Sequence, residues 1–224
     1  ISGSNNTFTG ESFRLSNFTG DTGELLTMFS DACSEEAYIG ISSLKTCTLA
    51  DVSSKLAGGY KLVSHVTIAA GETVTMEDGV CMNLQRCGIE INGSLNAEYE
   101  EVIDAFVSTG TDATITIKNG GELNLKNASI NLSNSYTDVN VESGGILSME
   151  GGSLYTYNEP TIAAGGMLSL TGVEVKKCIT ISTHEGISGS NNTFTGESFR
   201  LSNFTGDTGE LLPMFSDNCS EEAY

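Results

Sequence analysis

The sequence predicts an all-β protein, a right-handed parallel β-helix of roughly 21–28 residues per coil, with short loop or helical insertions. Three observations carry this. A short phrase of alternating strand, glycine turn and alternating strand recurs through the middle of the chain. The composition, with 26 Gly, two Pro, no Trp and 38% hydrophobic residues, suits many short strands and tight turns better than a helical bundle. Finally, residues 1–38 return as residues 187–224, an offset of 186 residues. Two positions differ between the copies, Thr27 against Pro213 and Ala32 against Asn218, so the second copy is no cloning artefact. Residues 1–186 then form one complete tandem repeat, and residues 187–224 begin the next. The expected architecture is a quasi-one-dimensional array in which each unit packs on its neighbours.

The recurring phrase reads HVTIAAGETVTM at 65–76, IEINGSL at 89–95, TITIKNGGELNL at 114–125, DVNVESGGILSM at 138–149 and PTIAAGGMLSL at 160–170. Alternation at period two sends Ile115 and Ile117 to one face and Thr114 and Thr116 to the other. The turn glycines are Gly71, Gly93, Gly121, Gly145 and Gly166, with gaps of 22, 28, 24 and 21 residues. A rung of that length holds two or three short strands. An antiparallel sandwich would turn more often and would lack the phrase.

This phrase resembles the coils of bacterial autotransporter passengers and of the wider pectin-lyase-like β-helix group, over about residues 63–204. The resemblance implies an architecture and is weak for function. Passenger domains usually avoid Cys, which this chain does not, so the bacterial outer membrane is not carried over.

Residues 6–20 carry Phe8, Phe13 and Phe18, five apart, expected as aromatic core positions of a further rung. Residues 24–37 break the rhythm and suggest a short amphipathic helix or packed loop. Residues 98–107 are a second helix candidate: Val102, Ile103 and Phe106 fall at helical spacing, with Glu98, Glu100 and Glu101 opposite. Such insertions are where contacts with partners would sit.

The net charge is −19, which disfavours nucleic acid and anionic membrane surfaces and keeps rods from clumping. No run approaches the roughly 18 apolar residues of a membrane span. No signal peptide is seen, as none would be in a window cut from a longer chain. No cofactor is expected. Calcium is the one ion considered, at Asp21 and Glu24 or at Glu77 and Asp78, and neither pair has the spacing of a known calcium loop.

Six Cys are present: Cys33, Cys47, Cys81, Cys87, Cys178 and Cys219, the last being the repeat of Cys33. There is no C-x-x-C and little His, so disulfides in an oxidising compartment are the reading favoured over zinc. Candidate pairings are Cys81 with Cys87, and Cys178 with Cys219 across the repeat boundary. Asn-x-Ser/Thr sequons begin at Asn5, Asn17, Asn92, Asn127, Asn131, Asn191, Asn203 and Asn218, a modest enrichment that favours a secreted glycoprotein.

No catalytic constellation is visible. The acids make no glycosidase-like pattern, His65 and His184 read as structural, and no nucleophile elbow exists. An ice-binding face would need threonines in register. Thr73, Thr75, Thr114 and Thr116 fit, but Asn140, Ser148 and Ser169 stand at the matching later positions. The expectation is therefore a structural role rather than an enzyme: a unit of a long extracellular filament or surface fibre, stacked end to end on copies of itself. About eight coils per repeat, each advancing about 4.8 Å, give an axial repeat of roughly 35 to 40 Å. The alternative is a glycan- or cell-binding adhesin stalk, which an exposed aromatic row would favour.

Overall fold

The structure is a computed structural model that describes residues 14–15, 20–21, 37–39, 43–49, 60–195 and 199–205. Cys33, Cys219, Asn5, Asn17, Asn218, Glu24, Phe8, Phe13, Phe18 and almost all of the segment 24–37 lie outside the described residues.

The chain winds as a parallel β-solenoid of about six turns, and no helix occurs among the described residues. Each turn presents three faces in order. The first face is an eight-stranded sheet that includes Val66–Ile68, Gly88–Ile91, Thr114–Ile117, Asp138–Val141, Thr161–Ile162, Ile179–Thr183 and Phe199–Thr205. The second face includes Cys47–Leu49, Thr73–Met76, Ile146–Glu150, Met167–Thr171 and Ile187–Ser190. The third includes Tyr60–Leu62, Met82–Asn83, Ser153–Thr156, Glu174–Val175 and Thr193–Phe194. The long strands Ser94–Val107 and Glu122–Leu132 run round the corner between the second and third faces and join them into one fifteen-stranded sheet.

Every pairing is parallel and nearly all are in register, so identical positions of successive turns stack. On the first face Leu44, Ile68, Ile91, Ile117, Val141, Ile162, Ile181 and Leu201 form one inward ladder. The second face stacks Cys47, Val74, Leu95, Leu123, Leu147, Leu168 and Ile187. The third stacks Tyr60, Met82, Phe106, Ile130, Leu154, Val175 and Phe194. Burying an aliphatic side chain this fully contributes roughly 1.5–3 kcal/mol, and the ladders converge on one continuous core. β-Branched Ile, Val and Thr suit these positions because they fit a pleated surface packed on both sides. The first-face ladder steps by 19 residues (162 to 181) up to 26 (91 to 117), close to the expected coil length.

Two adjacent glycines shape three of the corners between the first and second faces, Gly120–Gly121, Gly144–Gly145 and Gly165–Gly166, for different reasons. Gly120, with φ +77, takes the left-handed conformation that only glycine adopts freely, and a Cβ there would meet nothing within 4 Å. Its neighbour Gly121 needs room: a Cβ would lie 1.9 Å from the Ile91 carbonyl oxygen of the coil below.

The expected helix at 98–107 is not formed. These residues belong to the strand Ser94–Val107, which pairs Glu98 with Lys126 and then Ile103 with Ala128. Four residues, 99–102, therefore stand opposite Asn127 alone. The bulge turns Tyr99 into the core, its hydroxyl donating to the Val80 carbonyl, and leaves Glu100, Glu101 and Val102 in solvent.

Candidate functional site

Two places on the solenoid gather more than packing requires: the repeat boundary and one surface corner.

At the boundary, the strand Ile179–Thr183 ends in a turn whose Gly186 has φ +80, and the second copy of the repeated segment follows. Its strands fall straight into the stack. Ile187 pairs with Leu168, Phe194 with Val175, and Leu201 with Ile181. Asn192 is wholly buried; its amide nitrogen donates to the Leu170 carbonyl and its oxygen accepts the Val173 N–H, both at 2.9 Å. Arg200 reaches across one coil to Glu159 at 2.7 Å, and the Thr180 hydroxyl donates to the same carboxylate at 2.9 Å. The rings of His184 and Phe204 lie 6.3 Å apart. The sheets thus run on across the junction, with the second copy's strands as their last rung among the described residues.

The two copies are not seated alike. Arg14 and Leu15 pair with Tyr38 and Ile39, in the row of the third face, whereas Arg200 and Leu201 pair on the first face. One sequence takes two positions.

The surface corner lies between the third and first faces. Tyr136 stands there with φ +60, a conformation that costs a bulky residue about 1–2 kcal/mol, and it is 64% exposed. Thr137 pins the backbone beside it: wholly buried, it meets the Leu132 and Asn134 carbonyls and accepts the Tyr157 N–H at 3.1 Å. One coil on, Tyr157 is 46% exposed with its ring centroid 6.0 Å from that of Tyr136. Lys177, from the coil after, places its Nζ 5.8 Å from the Tyr157 centroid. Beside them runs a shallow groove of about 460 Å³ lined by Asp138, Asn140, Tyr157, Asn158, Glu159, Thr161, Lys177 and Thr180. Two flat rings next to carboxylates, amides and hydroxyls can stack on an apolar ligand face while bonding its polar edge. Sequence reasoning missed these tyrosines; the signal was bulky aromatics placed between a third strand and the next first strand.

The candidate sites read from the sequence scatter. Cys47, Cys81 and Cys87 are free thiols, so the Cys81–Cys87 staple is not made. Burial pushes the Cys47 and Cys81 thiols up to about 11, with Glu72 and Asp104 adding to the two shifts respectively. Cys178 is buried in the last coil of the first repeat. Of the sequons, Asn92 donates to Glu90 at 3.0 Å, Asn127 to the Tyr99 carbonyl at 2.9 Å and Asn131 to Asp104 at 3.1 Å. Asn191 and Asn203 are exposed. Asn127 and Asn191 have φ +52 and +56 and stand in the row of corners that Gly151 and Gly172 turn in the intervening coils. Asparagine tolerates this left-handed state better than other non-glycine residues, which is a structural reason for finding it there.

Among the described residues no group of three or more His, Cys, Asp or Glu side chains is placed to hold a metal ion. Asp78 accepts the Glu100 N–H at 2.8 Å instead. His65 is structural, its Nδ1 accepting the Gly88 N–H at 2.8 Å. Lysines are spent between coils: Lys118 lies 2.6 Å from Glu142 and 3.8 Å from Glu90, and Lys126 lies 2.5 Å from Glu98. The outward row of the second face reads Thr48, Thr75, Asn96, Asn124, Ser148, Ser169 and Ser188, a mixed ladder in which Asn124 donates to Asn96 at 2.9 Å.

Compared with known protein families, curated proteins and solved structures, the chain matches none.

Proposed function

We propose that this chain is a structural repeat unit of a long extracellular filament or surface fibre, a β-helical rod extended by stacking one repeat on the next. The observation that carries the reading is the boundary: the opening of the second repeat adds parallel strands to the first on all three faces, in register on two of them and, on the first face, up to a shift between Ile181 and Thr183. A parallel stack leaves an open strand edge at each end, and copies of the same unit are its natural cover. The net charge of −19 suits a rod that extends without bundling indiscriminately. The secreted setting rests on the exposed sequons Asn191 and Asn203. Electron microscopy of native material, with a power spectrum along the fibre, tests this. The expected pattern is a meridional reflection near about 4.8 Å and a layer line at roughly 35 to 40 Å. Isolated globular particles would remove the filament reading.

A second reading, an adhesin stalk that binds glycans, is favoured by the exposed Tyr136–Tyr157 pair beside a polar groove. Glycan-array binding that is lost in Tyr157→Ala, with unchanged thermal stability, would bring this reading forward. An array without signal would leave the tyrosines as surface packing.

A further inference from the structure

Five large hydrophobic side chains stand exposed among the described residues, and the two aromatic ones, Tyr136 and Tyr157, meet beside the corner groove. The parallel register builds the groove's floor. Asn140 pairs with Thr161, and Thr161 with Thr180, so an amide and two hydroxyls stack on the outer side of the first face, one strand spacing apart. These groups both donate and accept, as sugar hydroxyls do, and the Asp138 carboxylate in the same groove accepts. A tyrosine ring covers the C–H face of a sugar ring while such a floor meets its hydroxyl edge. The volume, about 460 Å³, is that of a small-ligand site and suits a short oligosaccharide.

The charges decide which kind. Glu159 is held by Arg200 at 2.7 Å and by the Thr180 hydroxyl at 2.9 Å. Lys177 and Asp138 make no ion pair among the described residues, and Lys177 instead sets its Nζ 5.8 Å from the Tyr157 centroid. Two carboxylates and two cations leave the groove close to neutral in a chain whose net charge is −19. Arg200 comes from the second copy, so the next repeat completes this balance. An acidic sugar would gain one ammonium group, but it would meet both carboxylates and the negative field of the whole solenoid. An uncharged sugar is indifferent to that field and uses the same carboxylates as hydrogen-bond acceptors. We propose that this groove is a binding site for uncharged oligosaccharides, stacked on Tyr157 and Tyr136 and hydrogen-bonded to Asp138, Asn140 and Thr161, and that it rejects acidic ones. This rests on the glycan-binding reading above and names the ligand class of that site.

The test applies the full chain to an array that carries neutral hexose and N-acetylhexosamine oligosaccharides beside sialylated, uronate and sulfated ones. The strongest neutral binder is then followed by titration calorimetry at low and high salt. Signals should be confined to the neutral set, with affinity insensitive to salt. Tyr157→Ala and Asp138→Ala should each weaken binding by about tenfold or more, through loss of a stacked ring and of a charged acceptor. Tyr157→Phe keeps the ring and should bind within a few fold of the parent. Tyr157 is exposed, so its variants should melt with the parent, and a melt of each variant separates lost binding from lost fold. Signals confined to acidic glycans, weakening as salt rises, would overturn the proposal and leave the glycan-binding reading standing. Neutral binding that survives both alanine substitutions would place the site elsewhere and overturn it too. Silence across the whole array would remove the proposal and the glycan-binding reading together.

Discussion

Asn192 and Leu170 are joined across the repeat boundary by a hydrogen bond of 2.9 Å from side-chain amide to backbone carbonyl, in a site closed to solvent. The same side chain accepts the Val173 N–H, so one residue satisfies both a donor and an acceptor that the corner of the coil below would otherwise leave unpaired.

Asn192→Ala should therefore destabilise the chain by about 1–3 kcal/mol, because two buried backbone groups lose their partners at once. Asn192→Asp keeps the acceptor and loses the donor. Equilibrium unfolding in urea checks both, with the alanine variant expected to show a lower midpoint at an unchanged slope.

Gly120 and Gly121 are neighbours with separate demands, and substitution should separate them. Gly120→Ala meets open space and suffers only the left-handed backbone, about 1–2 kcal/mol. Gly121→Ala drives a methyl into the Ile91 carbonyl and should cost clearly more, since backbone must shift. Thermal melts of the two variants check the order; equal losses would contradict the proposed division of labour.

The sequons should divide by geometry if the chain is secreted from a glycosylating cell. Asn203 and Asn191 are exposed and should be occupied, whereas Asn127, whose amide is donated to Tyr99 inside the corner, should not. Glycopeptide mass spectrometry reads this directly. Asn127→Gly should be tolerated and Asn127→Val should not, because the position needs a positive φ.

Raised thiols make a prediction with a definite sign. Cys47 and Cys81 shift from 9.0 in the unfolded chain to about 11 in the folded one. The folded state holds their protons more tightly, so this stability is fully present below pH 9 and is lost as pH rises through 11. Tyr99 is raised by the same burial and adds to the loss at still higher pH. Unfolding free energy should be flat across neutral pH on account of these groups and fall above pH 9. Cys47→Ser and Cys81→Ser variants should show a shallower alkaline fall. At pH 7.5 the native protein should react slowly with iodoacetamide at both positions.

The fold was legible because its inward pattern has a local cause. Ile115 and Ile117, or Val139 and Val141, alternate with polar residues and are followed by glycines whose conformational role is intrinsic. The bulge at 99–102 was not. Extra residues in a period-two strand place Val102, Ile103 and Phe106 at intervals that imitate a helix, and only the partner strand at Asn127 reveals the mismatch. The Tyr136–Tyr157 corner was hidden for a similar reason: the residues are 21 apart in sequence (157 − 136) and meet only because coils stack. Asn127 and Asn191 read as sugar acceptors when their shared feature is a corner of the backbone.

The inward ladder from Leu44 to Leu201 has one further consequence. Its members are all Leu, Ile or Val, so on this face each coil offers nearly the same surface to the coil on either side, whereas the third face mixes Tyr, Met, Phe, Ile, Leu and Val. On the first face, gain or loss of a whole coil in the gene would leave the cut surfaces matched and change the height of the stack. Such a molecule is graduated like a ruler, and selection can set its length one strand spacing at a time without redesigning anything it touches.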